Sequence, residues 1–163
     1  MLWPNFISSW AGFASLVFLL GLSVLICFVD LAQHIIPDRY NATLAAAGAL
    51  WTGLANQGLP LRLCQALVVA FLFITLARFY QHVRQRRGLG GGDIKFLAAA
   101  TIWVGLVGLP WLLLAASISG LAEILLRTAR GQVVDSSLKI AFGPHLCLGL
   151  LLSWSARDYT AIL

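Results

Sequence analysis

Six acidic residues stand in this sequence of 163, few enough to be sorted one by one for the chemistry each could do. Glu123 precedes Arg127 by four residues, the favourable order and spacing for an ion pair along a helix. Asp135 and Asp158 fall in polar or terminal stretches and read as solvated. Asp38, between Pro37 and Arg39, either caps a helix that begins there or serves a site. Asp30 ends an apolar run with no basic residue within a turn on either side, and Asp93 follows the run Gly88-Leu89-Gly90-Gly91-Gly92. Two carboxylates remote in sequence but brought to one depth can share a proton and activate a water between them. The plainer reading is that one caps a helix while the other reaches headgroup water.

The elements that must position these acids are set by composition. The chain is 60% hydrophobic and 10% charged, with a mean hydropathy of +0.89. A soluble domain carries roughly a quarter charged residues, and a chain this small cannot hide so much apolar surface in one core. Lipid must be the solvent. That excludes a soluble enzyme, a secreted disulfide scaffold and a DNA-binding domain, and no nucleic-acid partner is expected. The net charge of +5 belongs to loops beside a bilayer. Cys27, Cys64 and Cys147 lie singly in apolar runs and read as small buried residues, without a zinc or disulfide pattern. No Lys or Arg precedes Arg39, so the first apolar segment is expected to stay attached and not to be a cleaved signal.

A hydrocarbon core of roughly 30 Å takes about 17 to 25 apolar residues per helix. Six windows fit, near 9–29, 41–56, 61–80, 93–109, 111–127 and 139–156, the second being short and alanine-rich. The expected fold is all-α, a polytopic membrane protein of about six transmembrane helices forming one domain over 1–163. Turns are expected at Asn56-Gln57-Gly58-Leu59-Pro60, at Gly108-Leu109-Pro110 and from Arg130 to Ser137. Trp3, Trp10, Trp51, Trp103, Trp111, Trp154 and Tyr159 divide between interfacial anchors and packed positions. With the amino terminus outside, Arg39, Arg78, Arg84, Arg86, Arg87, Lys95, Arg127, Arg130 and Lys139 fall inside, and only Arg62 and Arg157 outside. That bias puts Asp30 and Asp93 at the inner boundary. The basic cluster Arg84-Gln85-Arg86-Arg87 reads as an anchor on anionic headgroups.

Three consecutive glycines would be poor helix interior. They permit positive φ and close backbone approach, so an extended substrate could lie against Gly90, Gly91 and Gly92; a plain loop would also explain them. Three blocks then bear on family. They are Asp30-Leu31-Ala32-Gln33-His34-Ile35-Ile36-Pro37-Asp38, Gly90-Gly91-Gly92-Asp93-Ile94-Lys95 with its small-residue continuation, and Ala141-Phe142-Gly143-Pro144-His145-Leu146. In this order the chain resembles the prepilin peptidases, Gly-x-Gly-Asp membrane aspartyl proteases related to the archaeal preflagellin peptidases. The resemblance implies Asp30 and Asp93 as the catalytic pair, with Gly90, Gly92, Lys95, Pro37 and Asp38 around them. It implies hydrolysis of a prepilin or pseudopilin where its basic leader meets its apolar helix, at the cytoplasmic face of a bacterial inner membrane. The larger members carry an amino-terminal extension with paired cysteines and methylate the new amino terminus. This chain shows no such extension, so methyltransferase activity is not expected, and its size looks more like the short peptidases of Flp-type or conjugative pilus systems.

The expected helix ends divide the labour within such a pair. Asp93 opens a helix, where the dipole favours the charged form, and Asp30 lies near a carboxyl end, where it does not, so Asp93 reads as base and Asp30 as acid. His34 reads as a solvated loop residue, His82 goes with the basic loop, and His145 reads as a polar residue opening the last helix. No metal ligand set or cofactor is expected. Arg78 should snorkel to headgroups. The rival reading is a non-proteolytic membrane assembly or transport protein of a pilus or secretion system, whose two Asp bind ions or a partner helix.

Overall fold

A computed structural model describes residues 10–85, 88–131 and 141–156, and among these the only regular structure is helical. Five helices follow one another: α1 (Trp10–Gln33), α2 (Asp38–Leu54), α3 (Leu59–Arg84), α4 (Gly91–Ala129) and α5 (Gly143–Ser155). The all-α expectation is met. Among the described residues three helices, α1, α3 and α4, are long and apolar enough to cross a membrane. The count of six spans is therefore not established, since α2 and α5 hold only 17 and 13 residues, short of the roughly 20 that a bilayer requires. The expectations for Trp3, Arg86, Arg87, Asp135, Lys139, Arg157, Asp158 and Tyr159 fall outside the described residues.

α4 is two helical arms, 91–104 and 106–129, joined at Gly105 with φ 72° and ψ 178°. The break was expected at Gly108-Leu109-Pro110, and all three lie inside the second arm. Pro110 is the fifth residue of that arm, where it forfeits the bond to the Leu106 carbonyl without ending the helix. Gly105 instead takes the left-handed backbone that a side chain disfavours. Both arms have their other ends at the Asp30 end of the bundle, so the chain reverses here. Asp93 in the first arm feels the charge of Asp30. Glu123 in the second bonds to His145, two residues beyond Gly143, which itself bonds to Asp30.

The core forms around Trp103. Its indole N–H donates to the Leu44 carbonyl of α2 at 2.8 Å. A Cβ at Gly48 would stand 2.7 Å from Nε1, so the glycine is what lets the ring lie flat on α2. Phe18 of α1 stacks on the same ring at 6.3 Å and Trp154 of α5 meets it edge-on at 6.5 Å. One side chain thus ties four helices together. Ser153 of α5 donates to the Gly108 carbonyl at 2.8 Å, and Gly149 lets α5 close on the backbone at Leu112.

α3 contrasts with this. Only Ala66 and Val69 are buried on it, while Leu67, Val68, Phe71, Leu72, Phe79 and Val83 are exposed. A helix apolar around its whole girth needs a surrounding apolar solvent, which agrees with the membrane reading from composition. Cys64 sits on this exposed surface, contrary to the expectation of burial; Cys27 is half-buried and Cys147 buried.

Candidate active site

Asp30 lies one turn before the end of α1 and is 4% exposed. The helix closes behind it through His34, whose φ of 54° turns its N–H back to the Asp30 carbonyl at 2.8 Å. The side chain does not face water. Oδ2 accepts the backbone N–H of Gly143, the first residue of α5, at 2.7 Å. A Cβ at Gly143 would be 2.6 Å from that oxygen, so only glycine permits the approach. A free N–H at a helix amino terminus is a natural partner for a carboxylate.

Asp93 is the third residue of α4, half-buried, and its carboxylate folds back over Gly90, the residue before the helix, and bonds its backbone N–H. This is the reciprocal half of a capping box, with Asp in place of the usual Glu or Gln. The Asp30 carboxylate acts on it electrostatically. The structure therefore brings both acids to one end of the bundle. It also removes the distinction drawn between them. Asp93 does open α4, but Asp30, though near the carboxyl end of α1, is bonded to the amino terminus of α5. Helix ends favour the charged form of both and do not separate base from acid.

The supporting residues assemble around this pair. Pro37 precedes α2 in extended backbone and Asp38 opens it. Lys95 bonds both Asp38 oxygens at 2.7 Å, with side chains 56% and 74% exposed. Asp38 thus serves as an ion-pair partner of the glycine segment's helix, and its neighbour Pro37 takes the cap position without a side-chain bond. Gly92 packs so closely on the first loop that a Cβ there would be 3.1 Å from the Ile36 carbonyl. Asn41, buried on α2, donates from Nδ2 to the Gly92 carbonyl at 3.3 Å. Asn41 was missed by the sequence reading, though its place three residues after Asp38 puts it on the same face of α2.

Gly91 is exposed and open. It borders a groove of about 240 Å³ between Ile74, Ala77, Arg78 and Gln81 of α3 and Gly88, Leu89, Gly91 and Ile94. Arg78, expected to reach for headgroups, lines this groove. The described residues contain no cluster of His, Cys, Asp or Glu fit to hold a metal ion. Cys27 and Cys147, unremarkable in sequence, share a hydrogen bond through their thiols and both feel the Asp30 charge. His145 opens α5 as expected, and its ring contacts Ser119 and Glu123 of α4 at 3.0 and 2.8 Å. Glu123 also pairs with Arg127, as its spacing indicated.

Residues 9–125 match the Type IV leader peptidase family. The chain is 33% identical over 156 residues to a prepilin leader peptidase/N-methyltransferase of Pectobacterium carotovorum subsp. carotovorum, covering 91% of this chain and 52% of that one. It is 34% identical over 140 residues to the leader peptidase HopD of Escherichia coli, covering 83% and 88%. A prepilin leader peptidase/N-methyltransferase of Neisseria gonorrhoeae is 29% identical over 154 residues, with 92% and 51% covered. The chain thus spans about half the length of the relatives that carry both activities in their names. No solved structure matches it. With the matched region holding both acids and the glycine run between them, the chain belongs to the type IV leader peptidase family.

Proposed function

We propose that this chain is a membrane-embedded aspartic endopeptidase that removes the basic leader from prepilins or pseudopilins. The observation that carries the reading is the meeting of Asp30 and Asp93 at one end of the bundle, beside an open groove floored by glycine. One carboxylate is ionised and takes a proton from water as its oxygen attacks the scissile carbonyl carbon. The other is protonated and hydrogen-bonds the carbonyl oxygen. Collapse of the tetrahedral adduct breaks the C–N bond, and the departing amine takes a proton from the pair.

The groove suits the substrate. An extended chain laid along the groove meets the bare backbone of Gly88 and Gly91, apolar walls from Ile74, Ala77, Leu89 and Ile94, and donors from Arg78 and Gln81. The excess of basic residues at this end supports the cytoplasmic face of a bacterial inner membrane as its location, with the amino terminus outside. The whole of 1–163 acts as one peptidase unit, and methyl transfer forms no part of the proposal. The test is direct. Purified chain in detergent, mixed with a precursor bearing a basic leader and an apolar helix, releases a shortened product, and Asp30→Asn and Asp93→Asn each release none. Product persisting in either variant removes that residue from the chemistry; no product from the unaltered chain favours the non-proteolytic assembly reading.

A further inference from the structure

His145 is 8% exposed, in the first turn of α5. Its Nε2 lies 2.8 Å from Glu123 Oε2, and a carboxylate can only accept, so Nε2 carries a proton. Its Nδ1 lies 3.0 Å from Ser119 Oγ. That hydroxyl also lies 3.0 Å from the Ala116 carbonyl, so the ring bridges the backbone and side chains of α4 from both of its nitrogens. Arg127 holds the other Glu123 oxygen through Nε at 2.8 Å, so one carboxylate joins the His145 ring of α5 to the Arg127 guanidinium of α4.

The consequence lies two residues away. Gly143 shares that first turn of α5, and its N–H is the bond to Asp30 Oδ2. The turn is thus gripped on one side by Asp30 of α1 and on the other by Ser119 and Glu123 of α4. We propose that His145 is a positioning residue, its clamp on α4 holding the Gly143 N–H against the Asp30 carboxylate. This rests on the reading of Asp30 and Asp93 as the reacting pair.

The test compares full-length chain in detergent with His145→Ala and Glu123→Gln, using the same leader-bearing precursor. Each substitution should lower kcat about tenfold with KM little changed, as a small misplacement of one reacting group does. Loosening a hydrogen bond to a carboxylate favours its protonated form, so the acidic limb of the pH profile should move up by about one unit. The titratable groups facing Asp30 are Asp93 of α4, Cys27 of α1 and Cys147 of α5, and none of them is altered by these substitutions. The double variant should be no worse than either single one, because both remove one device. An unmoved limb, a loss confined to KM, or multiplying effects would overturn the clamp.

Should His145→Ala not yield helical, monodisperse protein, Ser119→Ala and Glu123→Gln carry the test. Each should show the same loss in kcat and the same shift of the acidic limb, and the absence of both effects in either variant refutes the clamp. Failure of the peptidase reading looks different. There the unaltered chain is inactive or Asp30→Asn still cleaves, and the positioning role falls with it; a cleaving chain silenced by Asp30→Asn but indifferent to His145→Ala sinks the clamp alone.

Discussion

The two ends of the α4 hairpin apply the same electrostatics to opposite purposes. At the open end, Asp30 and Asp93 each meet the amino terminus of a helix, at Gly143 and Gly90. At the reversal, the Arg62 guanidinium of α3 fills the space that a side chain at 105 would need, beside the carbonyl end of the first arm. Gln65 Oε1 accepts the Leu106 N–H that begins the second arm, at 3.2 Å. Anions sit on helix starts and a cation on a helix stop, as the dipole prefers. The difference is that the far end satisfies itself with one cation and one amide, whereas the near end gathers two carboxylates, each bonded to a backbone N–H. Complementary charge closes a break in a helix; two acids gathered at one end are a poor way to hold a fold and a good way to hold a proton.

Substitutions at the two ends should accordingly fail in different ways. Asp30→Asn and Asp93→Asn should each cost on the order of 10³-fold in cleavage, the scale of a lost acid or base, with the thermal midpoint barely moved. Gly143→Ala would put a Cβ 2.6 Å from Asp30 Oδ2, and cleavage should drop by roughly tenfold to a hundredfold as the N–H is pushed away. Gly105→Ala should do the reverse. It forces a side chain to positive φ and displaces Arg62, for about 1–3 kcal/mol of stability seen as a lower midpoint, while the folded fraction keeps its turnover. Loss of cleavage at an unchanged midpoint in that variant would mean the two ends are coupled and the contrast is false. Arg62→Ala should cost about 1 kcal/mol of stability and nothing in turnover. Smallest should be the stability effect of Lys95→Gln, under about 1 kcal/mol, because its pair with Asp38 is largely exposed.

How much of this could be read beforehand depends on whether the signal was local. The glycine run, Asp93 and Lys95 lie within a few residues, and the first loop from Asp30 to Asp38 is similarly compact, so their types and spacing were legible. The placement of Asp30 and Asp93 at one end needed only a shared depth, which charge asymmetry supplied. His145 opens the last helix as expected, but its partners were not legible because they stand 22 and 26 residues away on another helix, and no periodicity pairs one helix face with another. The break at Gly105 was misplaced because Pro110 is the louder breaker, while the groups that stabilise the reversal, Arg62 and Gln65, come from α3. Arg62 itself was counted as an outer loop charge and is half-buried against α4. The count of six spans is not established for a simpler reason: apolar windows count residues, and two of these helices are short.

The loose seating of α3 bears on how anything reaches the groove. With two buried residues along 26, this helix gives most of its apolar surface to the surrounding hydrocarbon, while its Ile74, Ala77, Arg78 and Gln81 line the groove. The same helix is thus wall to the groove on one side and boundary to the bilayer on the other.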